Sequence, residues 1–384
     1  MVEWKKLGDV CLKITDGSHN PPMGVEQSNN RMISSQNVHN GYIDFSSVRY
    51  LSDEDFEKEN NRTNAEKGDV ILTIVGTIGR CCVLKGNEGN ITFQRSVALF
   101  KPNKVLSSSY LMQWLIFKNG YLNNQANGGA QKGIYLKQLA KLGIPVPPIE
   151  EQQRIVGILD TFTASIDNLK EQIAQRRKQY EYYRDQLLDL EGKPGVEMKT
   201  IAKVANSFTG LTYKPEHVKE RGIIVLRSSN IDEDKLVFED NVYVQMDIPD
   251  RAIVRENDIL ICVRNGSKRL VGKAAMINKD AEGMAFGAFM TILRSIDINS
   301  KFLFFVWQST KVKKQYKGDE AMPIAQITAK DFQRVIIPVP SLCEQSRIVG
   351  ILDTFEASIQ NLEKQLKERE KQYEYYRNKL LTFE

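Results

Sequence analysis

The chain has 384 residues, of which 41% are apolar and 26% charged, and it carries a formal net charge of +5. This composition excludes collagen, intrinsically disordered and small disulfide-rich proteins, and no apolar run approaches the roughly 18–20 residues that a membrane span needs. Five cysteines without a CxxC pair and three separated histidines predict reduced thiols and no zinc site. We expect a cytoplasmic protein without a signal peptide.

Residues 1–148 are predicted to form one domain of mixed α and β structure. Strand-like runs lie at 68–75 and 91–100, joined by Gly- and Asn-rich segments, and an apolar helical pattern lies at 109–118. We expect an α+β domain with mainly antiparallel strands.

Residues 149–192 predict a long helix with coiled-coil spacing. Pro148 precedes it, residues 192–195 end it, and the apolar positions between them alternate in steps of four and three. About 36 helical residues correspond to roughly 54 Å. We call the stripe formed by these apolar positions the seam of the helix. Arg176 is its one polar position, and two interpretations are open: its aliphatic stem extends so that the charge reaches solvent, or it fixes the register of the pair. The predicted helix-pair interface of this segment consists of Ile155, Leu159, Phe162, Ile166, Leu169, Tyr180 and Leu187.

Residues 193–341 predict a second domain of the same class, and residues 342–384 a second long helix. Strand-like runs lie at 223–226, 258–263 and 289–293, and a helical pattern lies at 301–317. Arg369 interrupts the second seam at the place where Arg176 interrupts the first. The interface predicted for the second helix consists of Ile348, Leu352, Phe355, Ile359, Leu362, Tyr373 and Leu380.

An internal repeat relates the two halves of the chain. Residues 144–191 and 337–384 match at a constant offset of 193, with 32 of the 48 pairs identical, whereas the preceding domains match only faintly. A domain about 30–35 Å across cannot return the chain along the whole first helix, so we expect the helices to pair antiparallel. The expected fold is α+β, with two mixed α/β domains separated by two long antiparallel coiled-coil helices and related by a pseudo-twofold axis.

The basic residues are concentrated in the two domains. Residues 1–148 carry a net charge of +4 and residues 193–341 carry +5, whereas the helical segments carry −3 and −1. A basic loop at 264–269 follows a strand, and 75–80 occupies the comparable place in the first half. Loops at 93–96 and 128–133 add Gln, Arg and Lys beside glycine.

Such loops are suited to DNA, because Arg binds guanine edges, Asn and Gln bind adenine edges, and Lys and Ser bind phosphates. Ordinary hairpin turns with solvated charges are the alternative interpretation. The predicted DNA-binding residues of the first domain are Ser18, His19, Asn20, Arg31, Gln36, Asn37, Arg80, Gln94, Arg95, Lys132 and Tyr135. Those of the second are Tyr213, Arg227, Ser229, Asn230, Arg264, Asn265, Ser267, Lys268, Arg269, Lys273 and Gln326.

The segment Asn20-Pro21-Pro22-Met23 resembles the Asn-Pro-Pro-aromatic motif of amino-group DNA methyltransferases. Met23 replaces the aromatic residue, and no Gly-rich S-adenosylmethionine loop precedes it, so no catalytic residue is predicted. A stand-alone adenine DNA methyltransferase and a non-catalytic coiled-coil adaptor remain the alternative functions.

These features together resemble the specificity subunit of type I restriction–modification enzymes. The resemblance covers the whole chain and rests on 151–160 and 178–185 with their copies at 344–353 and 371–378. The stretch 16–22 also looks like a loop found in many first domains of this family. Asn378 stands where the first copy has Asp185, on a face expected to be solvated.

The resemblance implies a non-catalytic, prokaryotic DNA-recognition subunit. Target-recognition domains at 1–148 and 193–341 would each read one half of a bipartite site in double-stranded DNA. The helices at 149–192 and 342–384 would set the spacer and dock two modification subunits, which would carry the S-adenosylmethionine, while this chain would bind no cofactor and no metal. Restriction subunits would join them. From the repeat, a fragment ending near Gly192 is expected to dimerise and specify a palindromic site.

Overall fold

The two long helices predicted from the seam spacing are the longest elements of the computed structural model, which describes residues 2–126, 132–317 and 326–383. The chain forms two units. Unit 1 comprises residues 1–170 and 364–384, and unit 2 comprises residues 171–363. Each long helix therefore contributes one part to each unit.

The strands of unit 1 form a four-stranded antiparallel sheet and several smaller pairings. The strands are β1 Glu3–Lys6, β2 Cys11–Asp16, β3 Asn30–Ile33, β4 Val38–His39, β5 Tyr42–Ile43, β6 Arg49–Leu51, β7 Val70–Thr73, β8 Cys81–Val83, β9 Asn90–Phe93, β10 Val97–Pro102 and β11 Gly143–Val146. The main sheet has the order β2-β10-β7-β8, the second has the order β6-β3-β9, and β1 pairs with β11. Only β3 and β9 pair in parallel among these named strands.

Most helices of unit 1 pack on one face of the main sheet. The helices are α1 Leu7–Val10, α2 Asp53–Thr63, α3 Ser108–Phe117, α4 Asn119–Gln125, α5 Leu136–Lys141 and the first part of α6 Ile149–Leu188. Alternate residues of a strand point to opposite faces of its sheet. Accordingly, Val70 and Leu72 of β7 belong to the apolar cluster that contains α3, whereas Ile71 belongs to a second cluster beneath β3 and β9.

Unit 2 repeats this pattern. Its strands are β12 Glu197–Thr200, β13 Ala205–Thr209, β14 Val218–Lys219, β15 Ile223–Leu226, β16 Ile231–Asp232, β17 Lys235–Leu236, β18 Tyr243–Val244, β19 Ile259–Cys262, β20 Ala274–Met276, β21 Ala285–Phe286, β22 Met290–Ser295 and β23 Ile336–Val339. The main sheet has the order β13-β22-β19-β20, β12 pairs with β23, and β15 pairs in parallel with β21. The partners of each of these strands are therefore the counterparts of those in unit 1.

The helices of unit 2 are the second part of α6, α7 Ser300–Gln308, α8 Thr310–Lys317, α9 Ala329–Arg334 and the first part of α10 Leu342–Leu381. Short 3₁₀ turns lie at Ile201–Lys203, Pro215–His217, Ser228–Asn230, Asp250–Ala252, Lys268–Leu270 and Lys279–Ala281. As in unit 1, the two faces of the main sheet cover different clusters, because Ile259 and Ile261 pack with α7 whereas Leu260 packs beneath β15.

Two predicted elements are each divided in the structure. The strand predicted at 91–100 is two strands, because β9 pairs with β3 while β10 pairs with β2 and β7, and a turn closed by Val97 N and Gln94 O separates them. The helix predicted at 301–317 is α7 followed by α8, because Ser309 has an extended backbone and its hydroxyl bonds the Val306 carbonyl at 2.7 Å. The spacing of apolar residues along the sequence does not indicate either interruption.

The long helices pair antiparallel within each unit, as predicted. In unit 1, Phe162 of α6 stacks on Tyr376 of α10 with ring centroids 5.2 Å apart. In unit 2, Phe355 of α10 stacks on Tyr183 of α6 at 5.4 Å. These pairs occupy equivalent positions of the repeat. The polar seam residue Arg369 lies over the Phe162 ring, 5.7 Å from its centroid, so its guanidinium covers the seam.

A buried glutamine ties the start of each long helix to its own unit. Gln152 is fully buried, accepts a hydrogen bond from Ser107 N at 2.8 Å and donates to Pro147 O at 2.9 Å. Gln345 in unit 2 likewise accepts from Asn299 N and donates to Pro340 O, both at 2.8 Å. Because buried polar groups need such partners, these bonds fix how the helix leaves the domain.

None of the helices in the described part of the chain is long and apolar enough to cross a membrane. The five cysteines are free thiols, and burial raises the pKa of Cys82 to about 11. Among the described residues no group of three or more His, Cys, Asp or Glu side chains is placed to hold a metal ion.

Candidate nucleic-acid interface

Five polar loops of unit 1 lie together because hydrogen bonds, most of them between backbone atoms, join them directly or through the adjacent strand residues. We call residues 17–20, 34–37, 75–80, 94–96 and 132–133 the first loop cluster. Ser18 N donates to Phe93 O and Arg95 N donates to Ser18 O, both at 2.8 Å. Gly76 N donates to Lys132 O at 3.5 Å. Segments far apart in the sequence thus form one surface.

Unit 2 contains a second loop cluster, built from residues 210–213, 227–230, 264–273, 287–289 and 326–327. Leu211 N donates to Phe286 O at 2.6 Å, as Ser18 N does to Phe93 O in unit 1. Arg264 and Gln326 form the bridge that Val75 and Gly133 form in unit 1. The loop that joins β19 to β20 is longer than the loop that joins β7 to β8 in unit 1. Its additional residues include Lys268 and Arg269.

A glycine allows the closest approach in each cluster. A Cβ on Gly17 would lie 1.9 Å from Phe93 O, and a Cβ on Gly210 would lie 2.1 Å from Gly287 O. No real Cβ approaches an oxygen so closely, so another residue would push the two backbones apart. These two glycines are equivalent in the repeat, which explains why both units keep them.

Most residues predicted to contact DNA in unit 1 lie in or beside the first loop cluster. The exposed ones are His19, Asn20, Gln36, Arg95, Lys132 and Tyr135. Arg80 and Gln94 are half-buried, and Ser18 is buried and contributes its backbone. Of the loop predicted at 128–133, residues 128–131 lie outside the described residues.

The side chain of Arg31 lies outside the first loop cluster. The Arg31 guanidinium lies over the Phe45 ring, 5.1 Å from its centroid, and donates to Glu88 O at 3.4 Å. Its partners therefore lie outside the loops that form the first loop cluster, and its role in DNA contact loses its geometric basis.

His19 is held by a buried carboxylate. His19 Nε2 lies 2.9 Å from Asp16 Oδ2, and the other oxygen of Asp16 binds the Arg62 guanidinium. Arg62 Nε also donates to the Asp16 carbonyl at 2.9 Å. With Nε2 engaged, Nδ1 is the ring nitrogen left to accept a hydrogen bond from a base edge.

Two predicted contacts have a structural role instead. Asn37 and Asn230 are 5% and 0% exposed. Asn37 Oδ1 accepts a hydrogen bond from Ser34 N at 3.0 Å, and Asn37 Nδ2 donates to Asp44 O. Asn230 Oδ1 likewise accepts from Arg227 N at 2.9 Å, and Asn230 Nδ2 donates to Val237 O. A side chain with these bonds cannot reach a base without local opening, so we withdraw both as base contacts. The asparagines fix the turn that presents their neighbours.

The second loop cluster presents a more basic set of side chains. The exposed predicted residues are Ser229, Arg264, Ser267, Lys268 and Arg269, and the half-buried ones are Tyr213, Arg227, Asn265, Lys273 and Gln326. Asn265 Nδ2 donates to Ser228 Oγ at 3.2 Å, which ties the basic loop to the neighbouring turn. Arg227 is engaged by Asp240 at 2.8 Å, so its charge is already paired.

Arg264 is oriented by two neighbours. Its Nη2 donates to Gln326 Oε1 at 2.8 Å, and its guanidinium lies 5.8 Å from the centroid of the Phe289 ring. Phe289 is 58% exposed and was not among the predicted site residues, since sequence patterning assigned it to the strand predicted at 289–293. An exposed aromatic ring beside an arginine provides a surface on which a base or sugar can pack.

The Asn-Pro-Pro segment at 20–23 does not resemble a catalytic pocket. Met23 is 92% exposed, and the carbonyl of Pro22 accepts a hydrogen bond from Arg49 Nη1 at 2.9 Å. The Pro22 carbonyl is therefore engaged within the chain, and the Met23 side chain extends into solvent instead of lining a pocket.

The residues predicted for the helix-pair interface lie on the inward faces of α6 and α10. Buried among them are Ile155, Leu159, Ile166, Ile348, Leu352 and Ile359, and Phe162, Leu169, Tyr180, Leu187, Phe355, Leu362, Tyr373 and Leu380 are half-buried. Tyr373 donates to Gln113 Oε1 at 3.1 Å, and burial raises the pKa of its hydroxyl.

Comparison with known proteins agrees with this architecture. The family model of the type I restriction modification DNA specificity domain matches residues 1–176 and 194–371. The chain belongs to this family. It is a specificity subunit that determines DNA sequence recognition in a type I restriction–modification system.

Relatives of this specificity subunit cover most of its length. The specificity subunit of EcoR124I/EcoR124II from Escherichia coli is 29% identical over 309 residues, which are 73% of this chain and 72% of that protein. A chain from work on complex assembly and conformational transition of the type I R-M system superposes with a TM-score of 0.66 at 18% identity, covering 99% and 97% of the two chains. The S subunit from M. genitalium gives 0.54 at 16%, covering 100% and 97%. These two structures support the fold.

Proposed function

We propose that each loop cluster of this specificity subunit reads one half of a bipartite DNA site, and that the chain itself performs no chemistry. The observation that carries the proposal is that both clusters have the same backbone frame but different exposed side chains. Equivalent hydrogen bonds join the loops, while His19 and Arg95 in unit 1 contrast with Arg264, Lys268 and Arg269 in unit 2. Two loop clusters with the same backbone arrangement but different exposed side chains suit the recognition of two different half-sites.

The long helices are proposed to set the spacer between half-sites and to bind two modification subunits. Support comes from the repeat, since 32 of 48 residue pairs across the helical segments are identical while the domains differ. Identical segments offer equivalent surfaces to two copies of one partner. In this proposal the modification subunits carry S-adenosylmethionine and methylate adenine, and restriction subunits complete the assembly.

The test is a genome-wide map of N6-methyladenine in cells that express this chain with its modification subunit. The expected result is a bipartite motif that disappears when this chain is omitted. Replacing residues 1–148 with the corresponding domain of a relative should alter one half of the motif and leave the other half unchanged. A map that does not depend on this chain, or a replacement that changes both halves, would contradict the proposal.

Within this function, Arg264→Ala should relax recognition at one position of one half-site. The fork of a guanidinium discriminates a guanine edge, so its loss should cost about 1–3 kcal/mol there. Lys132 is expected to contact a phosphate. Lys132→Ala should therefore lower the affinity for all DNA sequences alike and reduce the number of counterions released on binding by about one. The measurement is the affinity of the assembled complex for single-substituted targets across a salt titration. If Arg264→Ala lowered the affinity for all targets equally, Arg264 would be excluded as a residue that contacts a base.

A further inference from the structure

The repeat creates a pairing problem for the two long helices. Their seams are nearly the same, since Phe162, Tyr180 and Leu187 of α6 recur as Phe355, Tyr373 and Leu380 of α10. Apolar contacts of this kind hardly distinguish the α10 of the same chain from the α6 of a second copy. Charged residues beside a seam are the usual means of selecting one partner and rejecting another.

The two units contain the same cross-helix ion pair, formed from equivalent positions. In unit 1, Lys170 Nζ of α6 lies 3.7 Å from Glu370 Oε1 of α10. In unit 2, Arg177 Nη2 of α6 lies 2.7 Å from Glu363 Oε1 of α10. At the repeat offset of 193, position 170 corresponds to 363 and position 177 to 370. Both basic residues therefore belong to α6 and both acidic residues to α10.

A hairpin of unit 2 strengthens the second pair. Glu233, in the turn between β16 and β17, accepts two hydrogen bonds from Arg177 at 2.6 Å, and Lys235 Nζ lies 3.1 Å from Glu363 Oε2. The four charges alternate in sign. The hydrogen bonds from Arg177 lower the pKa of the Glu233 carboxyl, so this carboxyl is ionised at neutral pH.

We propose that this charge asymmetry makes each long helix select the other helix of the same chain and reject its equivalent in a second copy. In an antiparallel pair of two α6 helices at the same register, Lys170 of each copy would face Arg177 of the other. In a pair of two α10 helices, Glu363 would face Glu370. Either homotypic pair would bring like charges together twice, whereas the observed pair brings opposite charges together twice.

The test is a variant that makes the repeat symmetric without breaking the observed pairing. In K170E/E370K the pair of unit 1 is inverted but still complementary, and the network of unit 2 is untouched. Each helix now carries one acid and one base at the two crossing positions, so homotypic pairs become complementary as well. We expect self-association of the full-length chain to become roughly tenfold to hundredfold tighter at low salt, with the difference shrinking in 1 M salt.

The measurement is co-purification of two differently tagged full-length chains, together with analytical ultracentrifugation over a range of concentrations. The matched control is K178E/E374K, which exchanges one base of α6 with one acid of α10 at exposed positions outside the two crossing pairs. The proposal predicts that the control associates like the unsubstituted chain. Equal association of K170E/E370K and the control would overturn it.

A third variant tests the pairing energy itself. K170E alone places a second carboxylate against that of Glu370 and is expected to lower the unfolding temperature of the full-length chain, because like charges then meet at the crossing. K170E/E370K is expected to regain most of that loss. If the double variant remains as unstable as the single one, the ion pair does not select the partner and the proposal fails.

Discussion

Removing residues 364–384 is expected to unfold unit 1, although the deletion leaves residues 1–170 intact. Leu381 is 1% exposed and lies in the same apolar cluster as Ile155, Leu159 and the residues of α3, and Tyr373 and Leu380 pack against that cluster. Without this helical segment the cluster is open to water on one side. The expected signature is loss of hydrogen-exchange protection in β7 and β10, with protection of unit 2 retained.

A single substitution makes the same test without shortening the chain. Leu381→Ala should destabilise unit 1 by about 2–5 kcal/mol, because a buried leucine leaves both lost contacts and a cavity. The matched control is Leu342→Ala on the same helix, where the side chain is 61% exposed and a change within about 0.5 kcal/mol is expected. Equal stability of the two variants would show that the end of α10 is not part of the core of unit 1.

The same feature bears on the fragment ending near Gly192, whose dimerisation stays a prediction. Such a fragment lacks the segment that completes unit 1, and a second copy could supply Tyr180 and Leu188 at the positions of Tyr373 and Leu381. The dimer would also bring Lys170 against Arg177. We therefore expect it to be stabilised by added salt, in contrast to the intact chain.

Gly17→Val is expected to abolish the first loop cluster while leaving unit 2 folded. The Cβ would lie 1.9 Å from Phe93 O, so the segment 17–20 must separate from β9 at a cost on the order of 3 kcal/mol. Gly120→Ala is the control, because a Cβ on this helical residue meets no atom within 4 Å and alanine favours a helix. Thermal unfolding of both variants measures the difference.

The functional measurement for the same variant is the methylation map. Gly17→Val should degrade recognition of one half-site, and the equivalent change Gly210→Val should degrade the other. If both variants weakened the same half, the assignment of one loop cluster to each half-site would be wrong.

Sequence patterning predicted the parts of this fold that depend on periodicity. The seams of α6 and α10, the antiparallel pairing and the buried strands β7 and β19 follow from apolar spacing, because burial selects residue type position by position. Division of the stretch 91–100 between two sheets depends instead on which strands lie beside it. That information resides in β2, β3 and β7, which no local pattern connects.

The candidate site was predicted in part for a related reason. The loops 75–80 and 264–269 were matched through the strands that precede them, and the structure brings both to equivalent places. Burial of Asn37 and Asn230 could not be anticipated, since an asparagine that holds a turn and one that reads adenine look alike in sequence. Phe289 was missed because an aromatic residue at a strand end is usually internal.

The hydrogen bonds that join the loops of each cluster run largely between backbone atoms, and this has an evolutionary consequence. Replacing an exposed side chain such as Arg95 or Arg269 leaves those bonds in place, so we expect it to change the surface of the cluster with little effect on stability. Under the proposed function, single substitutions at such positions would change the recognised DNA sequence while the protein stays folded. The few positions that must stay fixed are those, such as Gly17 and Gly210, where the backbones themselves meet.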